Sequence, residues 1–383
     1  MPRLRLPEDP PRLWPRIPDG VRSIAITARV GRLLGIAFGI CFVTGLISRY
    51  QYVPWSWLPI PSAPVWGYRL TQGLHVITGI ASIPLLLVKL WSVFPKLFEW
   101  PPARSALHAL ERLSIAVLIS SALLEVVTGF MNILNWYPWP WSFIDVHRWL
   151  AWVIAGSILL HIAAKLPLIR RGLAEPVPGP DAGEPPAGIS RRGVLIAAGA
   201  GVGIVTVTTA GQAFTPIESL GLLAARRPHE GPQNVPINRT AAQAGVKSTT
   251  AHAASYRLQV VGPTPFELDL AALEALPGVS RDFPIACVEG WSAGASWTGP
   301  RLLDLVRRAG GDGDSTVRLT SLEPAGPYRR SAISGPELRA ALLATHLNGE
   351  RITLDHGYPA RLIAPNRAGV FNTKWLTKIE VVR

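Results

Sequence analysis

The sequence predicts a membrane all-α helical bundle, four helices plus a fifth anchor helix, followed by an α+β domain. Three observations carry that expectation. Hydrophobic residues make up 48% of the chain and charged residues 16%, a mix too apolar for an ordinary soluble protein. Five apolar segments, at 30–48, 70–94, 106–130, 146–166 and 193–210, each approach the ~20 residues that cross a bilayer. Beyond residue 252 the chain breaks into short strand-like and helix-like runs divided by Gly and Pro.

In order, residues 1–22 are rich in Pro and Arg and read as a disordered or interfacial tail. Residues 23–171 read as a four-helix transmembrane domain, 172–192 as a cytoplasmic linker, 193–212 as the fifth, anchoring span and 213–383 as an extracytoplasmic domain. The net charge of +13 raises the question of nucleic acid. Residues 1–214 carry 19 basic and 10 acidic side chains, whereas 215–383 carry 19 and 15. The excess therefore flanks apolar segments, as membrane topology signals do, and nucleic-acid binding is set aside. Basic residues number 7, 3 and 5 in the stretches 1–32, 95–112 and 165–192, against 2 and 0 in 49–69 and 131–146. That asymmetry places the N-terminus in the cytoplasm and the C-terminal domain outside, with Trp55, Trp57, Trp66, Trp136, Trp139 and Trp141 as an outer aromatic belt in contact with lipid.

Histidines within membrane spans are costly and are candidates for function. On the expected topology His75 and His147 lie near the outer face, and His108 and His161 near the inner one. His147 and His161 are 14 residues apart, about 21 Å along a helix and on nearly the same face. An outer pair, His75 with His147, and an inner pair, His108 with His161, are what two stacked bis-histidine haems need. Over residues 30–170 this resembles the di-haem b-type cytochromes of bacterial membranes, and implies two b-type haems (heme b) exchanging electrons with quinone. Interfacial histidines bonded to backbone or headgroups are the alternative, most of all for His108, which Glu111 and Arg112 follow within a turn. Glu125, within the third span, is read as a structural hydrogen-bonding group or a quinone or proton contact.

The linker ends in Ser190-Arg191-Arg192 ahead of a weakly apolar helix, which resembles a twin-arginine export signal retained as an anchor; an ordinary basic flank reads equally well. Two cysteines allow no disulfide framework, and Cys41 lies in an apolar run. Cys287 differs. FPIACVEGWSAGASWTG, residues 283–299, delivers it from a β-type run to a glycine-rich turn where a large ligand can approach the backbone. A thiolate suits a soft or high-valent metal, although a small buried hydrophobe is the plain alternative.

CVEGWS resembles the molybdenum-binding loop of the sulfite oxidase family of molybdopterin enzymes, on the branch of the bacterial methionine sulfoxide reductase catalytic subunit. LDHGYPARLIAPNRAGVFNTKWLTKIEVV, residues 354–382, is similar to that family's tail signature, and the resemblance spans about 226–383. It implies an α+β sulfite oxidase-type molybdopterin-binding domain with Cys287 on molybdenum, and His356, Arg361, Gly369 and Lys374 holding the pterin and its phosphate. Asn238 and Arg239 are weaker cofactor contacts. Tyr328 matches an active-site tyrosine, Glu289 is a carboxylate beside the metal, and Arg329 or Arg330 is a substrate anchor or a solvated strand end. Two departures stand out: no arginine-rich stretch follows Cys287, and Phe371 occupies the position of a basic residue. The resemblance therefore implies a membrane-bound oxidoreductase that reduces an S- or N-oxide, oxidised methionine being one small-molecule candidate. Oxidation of sulfite, or an outer domain that only binds a partner, are the alternatives.

Within the C-terminal half the runs predict a strand at 256–262, a helix at 269–278 capped by Asp269, a helix at 300–309, a strand at 315–323, a helix at 336–345 and a turn into a strand at 347–354.

Overall fold

The computed structural model describes residues 23–55, 57–101, 103–176 and 191–382. The tail 1–22 and residues 177–190 of the linker, Ser190 included, lie outside them. Five helices follow one another: α1 (Ile24–Tyr52), α2 (Gly67–Leu97), α3 (Ala106–Ile133), α4 (Phe143–Ala174) and α5 (Arg191–Ala210). All five contain stretches long and apolar enough to cross a membrane by length and composition. The first four are longer than the apolar runs, because polar turns and caps extend them at both ends. Ser105 caps α3 by accepting from His108 N, and Ser142 caps α4 by accepting from Asp145 N.

The chain divides into two compact units. One is the stretch up to Phe42 together with Thr78–Thr206; the other is Val43–Ile77 together with Val207–Arg383. In the first, Ile26, Val30 and Ala37 of α1 pack with Leu85 of α2 and with Leu195 and Val202 of α5. A second cluster joins Leu34, Leu86, Ala122 and Ile154, one from each of the first four helices. Small residues allow close approach, as at Gly172, where a Cβ would lie 2.7 Å from Ile24 O. Glu111 and Lys165 form an ion pair between α3 and α4.

The second unit carries the sheets. Its strands and short helices are β1 (Leu258–Val261), β2 (Phe266–Leu268), α6 (Leu270–Glu274), β3 (Gly278–Asp282), β4 (Ile285–Ala286), β5 (Ser292–Ala293), β6 (Ser296–Pro300) and α7 (Leu302–Arg308). They continue as β7 (Thr316–Ser321), β8 (Arg330–Ile333), α8 (Gly335–Ala340), β9 (Leu342–Ala344), β10 (His346–Leu347), β11 (Glu350–Arg351), β12 (Arg361–Ile363) and β13 (Leu376–Val382). A five-stranded sheet runs β2-β1-β13-β7-β8, with β1 and β13 parallel and the rest antiparallel; a four-stranded sheet runs β11-β10-β6-β3. Leu258, Val260, Val317, Leu319 and Ile379 of the first sheet pack on Leu302, Leu305 and Val306 of α7, and each such leucine contributes roughly 1.5–3 kcal/mol on burial. The class is therefore α+β.

Most expected elements form, α6 with Asp269 Oδ1 accepting from Ala272 N at 2.8 Å. The helix expected at 336–345 does not run that far. It stops at Ala340, Ala341 turns extended at ψ 148°, and Leu342–Ala344 becomes β9 paired with β12. All three β9 residues are buried, so both faces of the segment demand apolar cover and a helical run cannot be told from a core strand by pattern. The strand expected at 347–354 shrinks to the two residues of β11, followed by a 3-10 turn at Leu354–His356.

Candidate active site

Cys287 follows β4 at the tip of a hairpin. Its N–H donates to Trp291 O at 2.9 Å, and its carbonyl accepts from Gly290 N at 3.1 Å. Gly290 adopts φ +93°, and a Cβ there would lie 2.8 Å from Val76 of α2, so conformation and space both require glycine. The thiol is 2% exposed. Burial pushes its pKa up, and the Glu289 carboxylate adds to the shift. Such a thiol stays protonated until a metal ion displaces the proton.

The tail segment supplies the cations. Arg361, on β12, is 2% exposed; it donates Nε to Asn372 O at 3.2 Å and Nη1 to His356 O at 3.1 Å, and lies 5.4 Å from the Trp297 ring centroid. Lys374 Nζ donates to Asp355 O at 2.8 Å, Arg239 O at 2.9 Å and Asn238 Oδ1 at 3.5 Å. Trp375, buried at φ +51°, holds this turn by donating Nε1 to Leu354 O at 2.6 Å. An isolated bridge pairs Ala286 with Ala368, and a Cβ on Gly369 would lie 2.9 Å from Ala286 O. The tail is thereby drawn against the cysteine loop. Cys287, Arg361, Lys374, Gly369 and Asn238 line one cleft with Pro236, Ile285 and Trp291.

Both cations are met by carbonyl or amide oxygens, and among the described residues no carboxylate forms an ion pair with either. Burial pushes Arg361 down to about 9. It pushes Lys374 well below its ordinary value, and the charge of Arg361 adds to that shift. A soft sulfur ligand, one buried and one half-buried cation and closely apposed backbone fit an anionic, phosphate-bearing cofactor whose metal takes a thiolate.

Other expected site residues are placed differently. His356, 1% exposed, is not a cleft-lining group; its Nε2 donates to Pro232 O at 2.8 Å and ties the 232 segment to the tail. Arg239 pairs with Glu323 at 2.8 Å and reaches Gln243 O at 3.3 Å. Glu289 is held by an ion pair to Arg226 and accepts from Trp291 Nε1 at 3.0 Å, so its charge is already engaged. Tyr328 is half-buried, edge-on to Phe371 at 6.1 Å, and its hydroxyl is raised first by burial and also by the Cys287 sulfur. Arg330 is an exposed strand end on β8 and Arg329 is half-buried. Arg226, Tyr52, Tyr68 and Gln72 border the cysteine loop without having been expected. Gln72 Nε2 donates to Val288 O at 3.2 Å, and Tyr68 packs on Ala286 and Ala368.

Burial, with the charge of Arg361 second, lowers His356 to about 4. The unfolded imidazole titrates near 6.5, so between those values the unfolded chain binds the proton and the native one does not. His356 therefore supports the fold fully above pH 6.5 and loses that contribution as pH falls to 4, a difference of at most about 3 kcal/mol. Denaturant midpoints of the detergent-purified chain at pH 7 and 4.5 should diverge less in His356→Gln than in the wild type; equal divergence contradicts the assignment.

The four helix histidines occupy contrasting settings. His75 Nδ1 faces Thr44 Oγ1 at 3.4 Å, and a Cβ on the adjoining Gly45 would lie 3.2 Å from its Cε1. His147 Nδ1 faces Thr128 Oγ1 at 3.4 Å, and a Cβ on the adjoining Gly129 would lie 3.4 Å from its Cε1. A Thr-Gly pair on the preceding helix thus meets each ring. His147 Nε2 also lies 3.3 Å from Glu125 Oε1. His108 accepts from Arg104 N at 3.2 Å at the start of α3. His161 is half-buried on α4, and Glu111 carries charge interactions with both His108 and His161, which places those two at one end of the α3–α4 pair.

Residues 244–383 match the family described as oxidoreductase molybdopterin binding domain. The C-terminal segment is thus a molybdopterin-binding oxidoreductase domain, and the N-terminal helices fit a cytochrome-like membrane domain. Its relatives narrow the type. Mitochondrial sulfite oxidase of Drosophila melanogaster is 33% identical over 154 residues, 33% of this chain and 27% of that one. A protein named as a candidate protein-methionine-sulfoxide reductase subunit, YedZ1 of Azospira oryzae, is 30% identical over 132 residues, 34% of this chain and 50% of that one. The crystal structure of the sulfane dehydrogenase SoxCD from Paracoccus pantotrophus matches 33% of this chain and 38% of that one, at 19% identity and a TM-score of 0.31. The domain is of the sulfite oxidase type. The chain spans about a quarter of the fly enzyme and half of the Azospira protein.

Proposed function

We propose that the protein is a membrane-bound oxidoreductase whose outer domain reduces an S- or N-oxide, oxidised methionine among the candidates, with electrons drawn from quinone. The observation that carries the proposal is that Cys287, Arg361, Lys374 and Asn238 line the same cleft. When bound there, a molybdopterin supplies two-electron oxygen-atom transfer. Cys287 is the residue to ligate its metal. Arg361 and Lys374 hold its phosphate; the weak 3.5 Å bond from Lys374 to Asn238 is the one an incoming anion most easily replaces. His356 acts on the cofactor indirectly, by fixing the turn that carries Arg361. Trp291 and Ile285 keep water from the sulfur.

His75 with His147 and His108 with His161 are proposed as axial ligands of two b-type haems, one-electron carriers between quinone and the outer domain. The repeated Thr-Gly pair favours this for His75 and His147, because a hydroxyl on Nδ1 sets the ring and tautomer that an iron-bound imidazole needs. The cytoplasmic N-terminus, the lipid-facing tryptophans and the extracytoplasmic placement of residues 213–383 remain part of this reading, resting on the basic-residue asymmetry.

Oxidation of sulfite is the second reading, favoured by the likeness to the fly sulfite oxidase. Against it, no arginine-rich stretch follows Cys287, and Arg226 is engaged by Glu289. Metal and haem analysis of the detergent-purified chain, with turnover measured on methionine sulfoxide and on sulfite, separates the readings. One molybdenum with two haems and reduction of the sulfoxide is the expected result. Molybdenum-free protein, or turnover of sulfite alone, defeats it.

A further inference from the structure

Three phenols gather beside the Cys287 loop, and two of them come from the first two helices. Tyr52 ends α1 and Tyr68 begins α2, both within the same compact unit as Cys287. Tyr68 is fully buried against Ala286, the residue before Cys287, and against Ala368, the residue before Gly369. Its hydroxyl already donates to Gln72 Oε1 at 3.4 Å. Tyr52 packs edge-on to Phe371 at 4.8 Å, and Phe371 is edge-on to Tyr328 at 6.1 Å, so one ring is clasped between two phenols. The Tyr52 and Tyr328 hydroxyls interact with each other, and each interacts with the Cys287 sulfur. The Tyr52 oxygen is nevertheless buried without a bond that meets hydrogen-bond geometry. A buried hydroxyl left unmade costs free energy, and such a group is retained where a ligand completes it.

This corner has one cation against it, Arg367, which lies 5.6 Å from the Phe371 ring centroid and is paired with Glu337 at 3.0 Å. Its donors are phenol O–H groups and its walls are Phe371, Val370 and the tyrosine rings. Arg239, the cation whose charge reaches Tyr328, is held by Glu323 at 2.8 Å. The cations Arg361 and Lys374 belong to the cleft proposed to accept the cofactor's phosphate. A sulfite-like dianion would find Arg239 and Arg367 already paired with carboxylates. A neutral S-oxide would find two donors for its oxygen and apolar faces for its methyl and methylene groups.

We propose that Tyr52 and Tyr328 form a paired phenol donor for the oxygen of a neutral S-oxide, so that the first helix supplies a specificity residue beside the Cys287 loop. This rests on the reduction reading above and names its substrate class and a residue that recognises it.

The test uses the molybdenum-loaded, detergent-purified full chain and free methionine sulfoxide as the probe. Calorimetry should show binding to the wild type, weakened about tenfold in Tyr52→Phe, as expected for one lost hydrogen bond. Tyr328→Phe should weaken it similarly, and both variants should keep their molybdenum content. Tyr68→Phe should leave the affinity unchanged, because that hydroxyl is already engaged. In the wild type alone, the probe should perturb the phenol absorbance in an ultraviolet difference spectrum, and the signal should shrink in Tyr52→Phe. Undiminished affinity in Tyr52→Phe, or a wild-type spectrum that the probe does not perturb, overturns the paired-donor proposal while sulfoxide reduction stands. Failure of the loaded wild type to bind the sulfoxide at all overturns both.

Discussion

Cys287→Ser should abolish molybdenum-dependent turnover. Partners that merely orient a metal ligand typically cost 10–100-fold when removed, so loss of the ligand itself should cost at least about a hundredfold. The change is small in volume, and the hairpin is held by backbone bonds from Cys287 N to Trp291 O and from Gly290 N to Cys287 O, which serine keeps. A hydroxyl at a position 2% exposed costs about 1–3 kcal/mol if nothing meets it, which a folded domain survives. The expected signature is therefore specific: activity and molybdenum fall together, while the melting profile changes little. Elemental analysis beside a turnover assay reads this directly. Retained turnover would remove the sulfur from the metal's coordination and the cleft from the mechanism.

Arg361→Met should give the second largest effect, on two scales. If the guanidinium holds the cofactor's phosphate as proposed, its removal should cut retained molybdenum severalfold through purification. It also donates to Asn372 O and His356 O, two carbonyls in a segment that is largely buried. Leaving them unmet costs about 1–3 kcal/mol each, so the melting temperature should fall as well. Arg361→Lys separates the two roles. It restores the charge but not the planar fork, so cofactor retention should recover in part while the stability loss persists. Full molybdenum content in Arg361→Met would show that the phosphate is held elsewhere.

Legibility in the sequence follows the range of the interactions. Five spans are readable because a helix must satisfy its backbone within itself and show lipid an apolar surface, both of which leave a local imprint. The cysteine loop and the HGYPAR segment are readable because glycines mark where backbone comes close. What escapes depends on residues far apart in the chain. Arg226 claims Glu289 across 63 positions, and Gln72 reaches Val288 across 216; no local pattern announces either. The same limit explains why His356 and Arg239, both expected as cofactor contacts, turn to Pro232 and Glu323. β9 reads as helix in the sequence because a short run buried on both faces has no period to read.

The partition of the chain at Val43–Ile77 carries a practical corollary. Excising a soluble fragment that begins after the fifth helix would strip Tyr52, Tyr68, Gln72 and Val76 from the scaffold under the cysteine hairpin. The exposed scar would include Ala286, Ala368 and Gly290, bare of the cover that each now has. A water-soluble catalytic version must therefore graft a surrogate for that lost buttress. In this molecule the boundary between lipid-bound and aqueous parts is not a place where the polypeptide can be cleanly severed.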